Sequence, residues 1–291
     1  FGIMRCREFY MKDAYSFDLN DEDANFSYNK FFLSYLRTFQ RLNLSAIPMA
    51  ADTGPIGGDL SHEFIILAET GESKIYTDKN IFEIDLNNYS FNNSSLEKMI
   101  KDYSSIYAVT DDKFKKNEFD KKVPKQNQMI TKGIEVGHIF YFGDKYSKPL
   151  NCFVDSQDGK KNAVKMGSYG IGVSRLVGAI IEAKYDNEIM KWPKSVAPFE
   201  VVIIPSISKN NKENLSKSIK IYEELKKQNI DVLLDDADEN MSQKFKKHDL
   251  IGIPYQIIVG SKSTENKIEF KEVNSESSFI DLKDIKSKLT S

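Results

Sequence analysis

Arginine is scarce in this chain: it supplies five of the 41 Lys and Arg residues, and none lies between Leu176 and Ser291. Cysteine is scarcer still. Cys6 and Cys152 are far apart and lack paired spacing, which excludes a disulfide framework or a cysteine zinc cluster and makes a reducing cytoplasm the default location. No apolar run approaches the roughly 18 to 20 residues of a membrane helix. No charged leader followed by an apolar stretch opens the sequence, and Phe1 stands where an initiator methionine would. A formal net charge of −2 excludes a uniformly basic coat, although a local patch would suffice for nucleic acid.

The composition is that of a folded protein, with 40% hydrophobic and 29% charged residues, and 291 residues give room for two domains. Residues 1–17 favour a strand. Asp21 is placed to cap a helix whose apolar residues Ala24, Tyr28, Phe31, Phe32, Tyr35, Phe39 and Leu42 recur at steps of three and four. A short strand near 47–51, a Gly-rich turn at 52–59 and a strand at 61–67 follow. From about 71 to 132 Lys, Asp, Asn and Ser dominate, which reads as a small surface insertion with one short helix near 95–103. Strand character returns at 135–143, and Leu176, Val177, Ile180 and Ile181 mark a helix. The Pro-bearing stretch 192–198 is a linker signal, so the expected domains are 1–194 and 195–291. In the second, strands and helices alternate, which implies a mostly parallel sheet covered by helices.

Three of the five arginines fall in two short segments, 4–9 and 167–175. A guanidinium is a planar fork that grips phosphate oxygens two at a time, unlike the point charge of lysine. If 4–13 are extended, Arg5, Arg7, Phe9, Met11 and Asp13 share a face. That face could hold phosphates, stack a purine on Phe9 and receive an ammonium on Asp13; an amphipathic strand with ordinary ion pairs fits the spacing too. In the second segment Gly167, Gly170 and Gly172 precede an apolar helix that starts near Arg175. Glycines before a helix N-terminus suit either an anion site or a tight turn.

Taken together the segments say more. Arg5-x-x-x-Phe9-x-x-x-Asp13 resembles the second half of motif 2 of class II aminoacyl-tRNA synthetases, and Gly170-x-Gly172-x-x-Arg175 resembles their motif 3. Arg7 to Phe17, Ser61-His62-Glu63-Phe64, Gly133 to Phe140, Met166 to Val173 and Leu250-Ile251-Gly252-Ile253-Pro254 extend the resemblance to bacterial-type prolyl-tRNA synthetases. The resemblance implies an α+β protein: an antiparallel-sheet catalytic core followed by an α/β anticodon-binding domain. It implies a proline–tRNA ligase activity, with L-proline, ATP with Mg2+, and tRNA(Pro) as substrates, and no protein-held metal.

By position, the resemblance assigns ATP to Arg5, Phe9, Gly170, Gly172 and Arg175, with Arg5 and Arg175 clamping the γ-phosphate and Phe9 stacking on adenine. It assigns proline to Asp13, Glu63, His138 and Phe140, with Asp13 taking the ammonium. Asp52 to Gly58 resembles a mobile loop that closes over proline. From the residues alone, His138 could equally be a hydrogen-bonded core histidine and Glu63 a buried structural carboxylate. Glu135 lies off the strongest strand register, and Arg7 receives no definite contact.

The anticodon domain departs from a common pattern: Ala237 and Asn240-Met241-Ser242 stand where many relatives carry Arg and Arg-Pro-Gly. Lys244, Lys246 and Lys247 could hold phosphates or form a solvated helix face. Motif 1 and the opening of motif 2 would precede Phe1, so the expectation is an N-terminally truncated synthetase, a homodimer only at full length and inactive as an isolated fragment. The stretch 71–132 is too short for the editing domain of many relatives, which implies a separate trans-editing protein. The alternative is a catalytically inactive, synthetase-like RNA-binding or accessory protein.

Overall fold

In the computed structural model, the residues described are 2–51, 60–157, 159–186, 189–207, 212–264 and 266–290. They fold as two units, Phe1–Ala183 and Lys184–Ser291, divided upstream of the Pro-bearing linker signal.

In the first unit, Gly2–Met4 forms a single 3-10 turn, and strand β1 (Met11–Asp18) starts only after it. The continuous strand expected over 1–17 is therefore confined to its second half. Helix α1 (Asp21–Arg41) follows. Asn20, rather than Asp21, caps it by accepting the backbone N–H of Asp23, while Asp21, Glu22 and Asp23 complement the helix dipole. Next come β2 (Ala46–Ala50), β3 (Leu60–Leu67), β4 (Ser73–Asp78), α2 (Asn93–Ser105), β5 (Ala108–Thr110) and α3 (Lys116–Lys122). The 16-residue strand β6 (Gln128–Gly143) precedes a hairpin of β7 (Phe153–Asp155) and β8 (Lys161–Ala163). Strand β9 (Lys165–Gly172) then runs directly into α4 (Val173–Lys184).

Seven of these strands form one sheet in the order β1-β9-β6-β3-β2-β5-β4, and β4 also pairs with β6. Its ladders are antiparallel except for the short β2–β5 contact. Helix α1 covers one face, burying Ala24, Tyr28, Phe32, Leu33, Tyr35, Leu36 and Phe39. Full burial of each such aromatic or leucine is worth about 1.5–3 kcal/mol, so this helix backs the sheet with a rigid apolar floor. The opposite face, at β1, β9 and β6, carries the site. The stretch 71–132 is woven into the sheet: Ile75 and Ile81 pack with Ile47, Met49 and Ile65, and Tyr76, Phe119 and Val123 form a cluster of their own.

The second unit begins with a two-residue ladder, β10 (Tyr185–Asp186) with β11 (Ile189–Met190). Then follow β12 (Val201–Pro205), α5 (Glu213–Lys227), β13 (Val232–Leu234), α6 (Met241–Ile251), β14 (Tyr255–Val259), β15 (Lys267–Glu272), β16 (Ser278–Asp281) and α7 (Ile285–Thr290). The sheet order is β13-β12-β14-β15-β16. Only the first three strands are parallel; β15 and β16 return antiparallel, so the expected mostly parallel sheet is a mixed one. Strand β12 is buried throughout, with Val201 and Ile203 in one cluster and Val202 and Ile204 in another. That is why it reads as an unbroken apolar run.

Candidate active site

Strand register builds the site. Asp13 pairs with Gly170, Gly170 with His138, and His138 with Glu63, so one straight row crosses β1, β9, β6 and β3. Directly paired residues share a face, and neighbouring strands lie about 4.8 Å apart. The next row holds Tyr15, Ser168, Phe140 and Ser61. Five sequence-predicted residues, Asp13, Gly170, His138, Glu63 and Phe140, therefore meet on the sheet face opposite α1.

Gly170 keeps this surface open. A Cβ there would lie 3.1 Å from Met11 Cε and 3.4 Å from Asp13 Oδ1. Gly167, Gly170 and Gly172 are strand residues in β9, not a loop, and the helix expected directly after them begins at Val173. Over the row lies a cavity of about 390 Å3, lined among others by Arg5, Phe9, Asp13, His138, Phe140 and Arg175. Its size fits a small organic ligand. Phe9 is 58% exposed and offers a free aromatic face at its edge.

The two arginines reach this cavity by different routes. Arg175, in the first turn of α4, donates from Nε to the Met4 carbonyl at 3.0 Å and from Nη1 to the Glu135 carbonyl at 2.8 Å. Arg5 lies outside any strand and bonds Glu72 at 2.7 Å. The alternation argument for Arg5 and Arg7 thus fails, since β1 starts at Met11, yet Arg5 lines the cavity and Arg7 is exposed outside its lining.

Glu135, left aside on the sequence, is central. Its carboxylate lies 3.3 Å from His138 Nδ1 and 3.6 Å from Arg175 Nη1. The β3–β6 register shifts so that Phe64 pairs with Gly137 and Ile65 with Glu135, skipping Val136. This bulge breaks the two-residue alternation and brings residues three apart onto one face. Parity counting could not find it. Burial pushes the Glu135 carboxyl up, but the His138 hydrogen bond and the charges of His138, Arg175 and Arg5 together hold it below the usual value.

His138 is neither a bare ligand nor a simple core residue. It meets Ser61 Oγ through Nε2 at 2.5 Å and stacks on Phe140, with centroids 3.8 Å apart and planes 19° apart. Glu63 sits beside it on β3, 3.9 Å from Nδ1, and is absent from the cavity lining. Burial, then the nearby Glu135 and Asp112 carboxylates, raise Glu63 to about 7. Its neighbour His62 points the other way, to Tyr28 OH at 2.7 Å, and burial lowers it to about 4. Among the described residues, Glu63, Glu135 and His138 are the group whose ligand atoms converge, all within 4.8 Å. An imidazole with two carboxylates suits a borderline ion better than Mg2+, which prefers oxygen alone. The loop expected to close over proline, Asp52 to Gly58, lies outside the described residues.

In the second unit Lys244 is fully buried, donating to the carbonyls of Asp235 at 2.8 Å and Pro205 at 3.2 Å, so it holds no phosphate. Lys247 pairs with Asp235 and Glu239, and only Lys246 of the three is exposed. Helix α6 starts with a reciprocal capping box between Asn240 and Gln243.

This combination of an antiparallel sheet, an arginine at the start of the helix after β9 and a separate mixed α/β unit defines a class. The family described as the tRNA synthetase class II core domain (G, H, P, S and T) matches residues 1–184, and the anticodon binding domain family matches 200–291. The chain belongs to the class II tRNA synthetases, and its fold is α+β. Within that class it is 64% identical, over its whole length, to a proline–tRNA ligase of Pelagibacter ubique, of which it covers 66%. It is 49% identical over 93% of the chain to that of Beijerinckia indica, and 52% identical over 94% to that of Bartonella quintana, covering 62% of each. The chain thus spans slightly less than two thirds of the length of these relatives.

Proposed function

We propose that the protein is a proline–tRNA ligase, which activates L-proline with ATP and transfers the prolyl group to the 3′ end of tRNA(Pro). The observation that carries this reading is the row from Asp13 through Gly170 to His138, which shares a cavity of about 390 Å3 with Arg5 and Arg175. One end is cationic and suits a triphosphate. The other is lined by Phe140, His138 and a carboxylate, and suits a small ring bearing an ammonium.

ATP enters with its magnesium as one substrate. Arg5 and Arg175 take its terminal phosphate, Phe9 stacks on adenine, and the side-chain-free backbone of Gly170 and Gly172 lets the nucleotide approach the sheet. Asp13 accepts the prolyl ammonium, and His138 with Phe140 walls the ring. Glu63 supports His138 from the neighbouring strand. The proline carboxylate attacks the α-phosphorus, the bond to the bridging oxygen breaks, and pyrophosphate leaves with its charge held by the guanidiniums. Positioning and fixed charge carry this step, with no protein nucleophile. The tRNA 3′-terminal hydroxyl then attacks the adenylate carbonyl and AMP departs.

Resemblance to the family supports the remaining assignments: domains at 1–194 and 195–291, an anticodon-reading second unit, a homodimer, a cytoplasmic location, and a separate protein that clears mischarged alanyl-tRNA. None of the described helices is long and apolar enough to cross a membrane. The test is ATP–pyrophosphate exchange by the intact protein. Exchange that depends on proline is expected; exchange with threonine instead, or none with any amino acid, overturns the reading.

A further inference from the structure

Arg5, unlike Arg175, stands on a segment outside any regular element. Residues 5–9 belong to no helix or strand, whereas Met4 is held by Arg175 and Tyr10 by Ser174. A long side chain on such a segment has many rotamers to lose when it meets a phosphate. Glu72 supplies what the segment lacks. It follows Gly71, where a Cβ would fall 2.3–2.6 Å from the Gly133 backbone, so this turn is pressed directly onto β6. Ser73, the next residue, opens β4 and pairs with the same Gly133. Thr70 Oγ1 bonds Glu182 on α4 at 2.7 Å, which fixes the other side of the turn.

A carboxylate on a fixed backbone therefore meets the guanidinium of a loosely placed arginine at 2.7 Å. Arg5, Glu72, Glu135 and Arg175 together line a small recess adjoining the main cavity. Glu72 engages Nη2 of Arg5, and a guanidinium has five N–H donors. We propose that Glu72 is a positioning residue for ATP, holding the Arg5 guanidinium at the cavity mouth where it meets the terminal phosphate. This rests on the functional reading above for the identity of the nucleotide.

The opposite role has the same geometry: a carboxylate that imitates phosphate and must be displaced before ATP binds. The two roles predict opposite signs. In the intact protein, Glu72→Gln is expected to weaken ATP binding, measured by titration calorimetry without turnover, by about two- to fivefold, the scale of an exposed ion pair. The KM for ATP in pyrophosphate exchange should rise by the same factor while the KM for proline stays put. Glu72→Asp should restore part of the loss, and an unchanged melting temperature shows that the fold is intact. Unchanged or tighter ATP binding by Glu72→Gln overturns the proposal. If the wild type binds ATP and the variant binds it more weakly, but exchange does not use proline, the functional reading fails while this inference stands. A wild type that binds no ATP sinks both.

Discussion

Phe140 lies flat against His138, ring centroids 3.8 Å apart, two residues along the same strand. The stack fixes the imidazole plane while Ser61 and Glu135 fix its nitrogens. Phe140→Ala removes both the stack and one wall of the pocket proposed for proline. Truncating a packed aromatic costs about 3–5 kcal/mol where it is fully buried. For this partly exposed ring we expect about a tenfold or greater rise in the KM for proline with the KM for ATP unchanged, read from exchange kinetics. Equal changes in both constants would remove Phe140 from the proline side.

Arg175 uses Nε and Nη1 on two separate carbonyls, a division of labour that needs a planar fork. Arg175→Lys keeps the charge and loses that geometry. Hydrogen bonds to charged groups are worth about 1.5–3 kcal/mol, so the KM for ATP should rise roughly 10- to 150-fold. An unaltered ATP constant would show that the charge alone suffices.

Gly170→Ala adds one methyl at the centre of the cross-strand row. It would press on the flexible end of Met11 at 3.1 Å and on Asp13 Oδ1 at 3.4 Å. The thioether can give way, so the melting temperature should hardly move, while substrate binding falls severalfold. Wild-type kinetics in the variant would mean that no ligand approaches this glycine.

Glu63 links the site to pH. Its folded carboxyl titrates near 7 against an ordinary 4.5, so between those values the folded chain keeps a proton that the unfolded chain has lost. Stability from this group is present below 4.5 and falls as pH rises through 7, by at most about 3 kcal/mol. His62 works in the other direction, lowered to about 4 from 6.5, and adds stability as pH rises across that interval. Comparing Glu63→Gln with wild type cancels the histidine. In urea unfolding the two should be nearly equal at pH 5 and the variant more stable at pH 8. A pH-independent difference would refute the assignment.

Lys244 is a buried ammonium beside Asp235, which is also bonded to His248 at 2.7 Å. Lys244→Met leaves the Asp235 carboxylate and two carbonyls short of a donor. Removing one partner of a buried pair costs about 3–5 kcal/mol, so the second unit should unfold at distinctly lower urea, with exchange activity retained. A loss below about 1 kcal/mol would show that Lys247 and His248 satisfy Asp235 unaided.

Much of the site was legible because its residue types are rare. Arg5, Arg175 and His138 stand out in a chain with five arginines and three histidines, and their order in the sequence matches a known family. Glu135 was hidden by a bulge that strand parity cannot anticipate. Glu72 was hidden by distance, since its partner is 67 residues away and an acidic residue in a polar stretch carries no local signal. The strands of 71–132 were misjudged because they complete a sheet whose other members come from elsewhere in the chain. Lys244 reads as a phosphate ligand or part of a solvated face because helix periodicity shows which residues share a face, not whether a carboxylate and two carbonyls wait beneath them.

The row from Asp13 to Glu63 has a consequence for how the protein acquires function. It depends on three successive antiparallel ladders being in register at once. Sliding any one strand by a single residue would turn its member of the row toward α1 and put a neighbour of different size or charge in its place. A misaligned sheet would therefore be inert rather than sluggish. The specific activity recovered after refolding should count correctly aligned molecules, each either fully competent or silent.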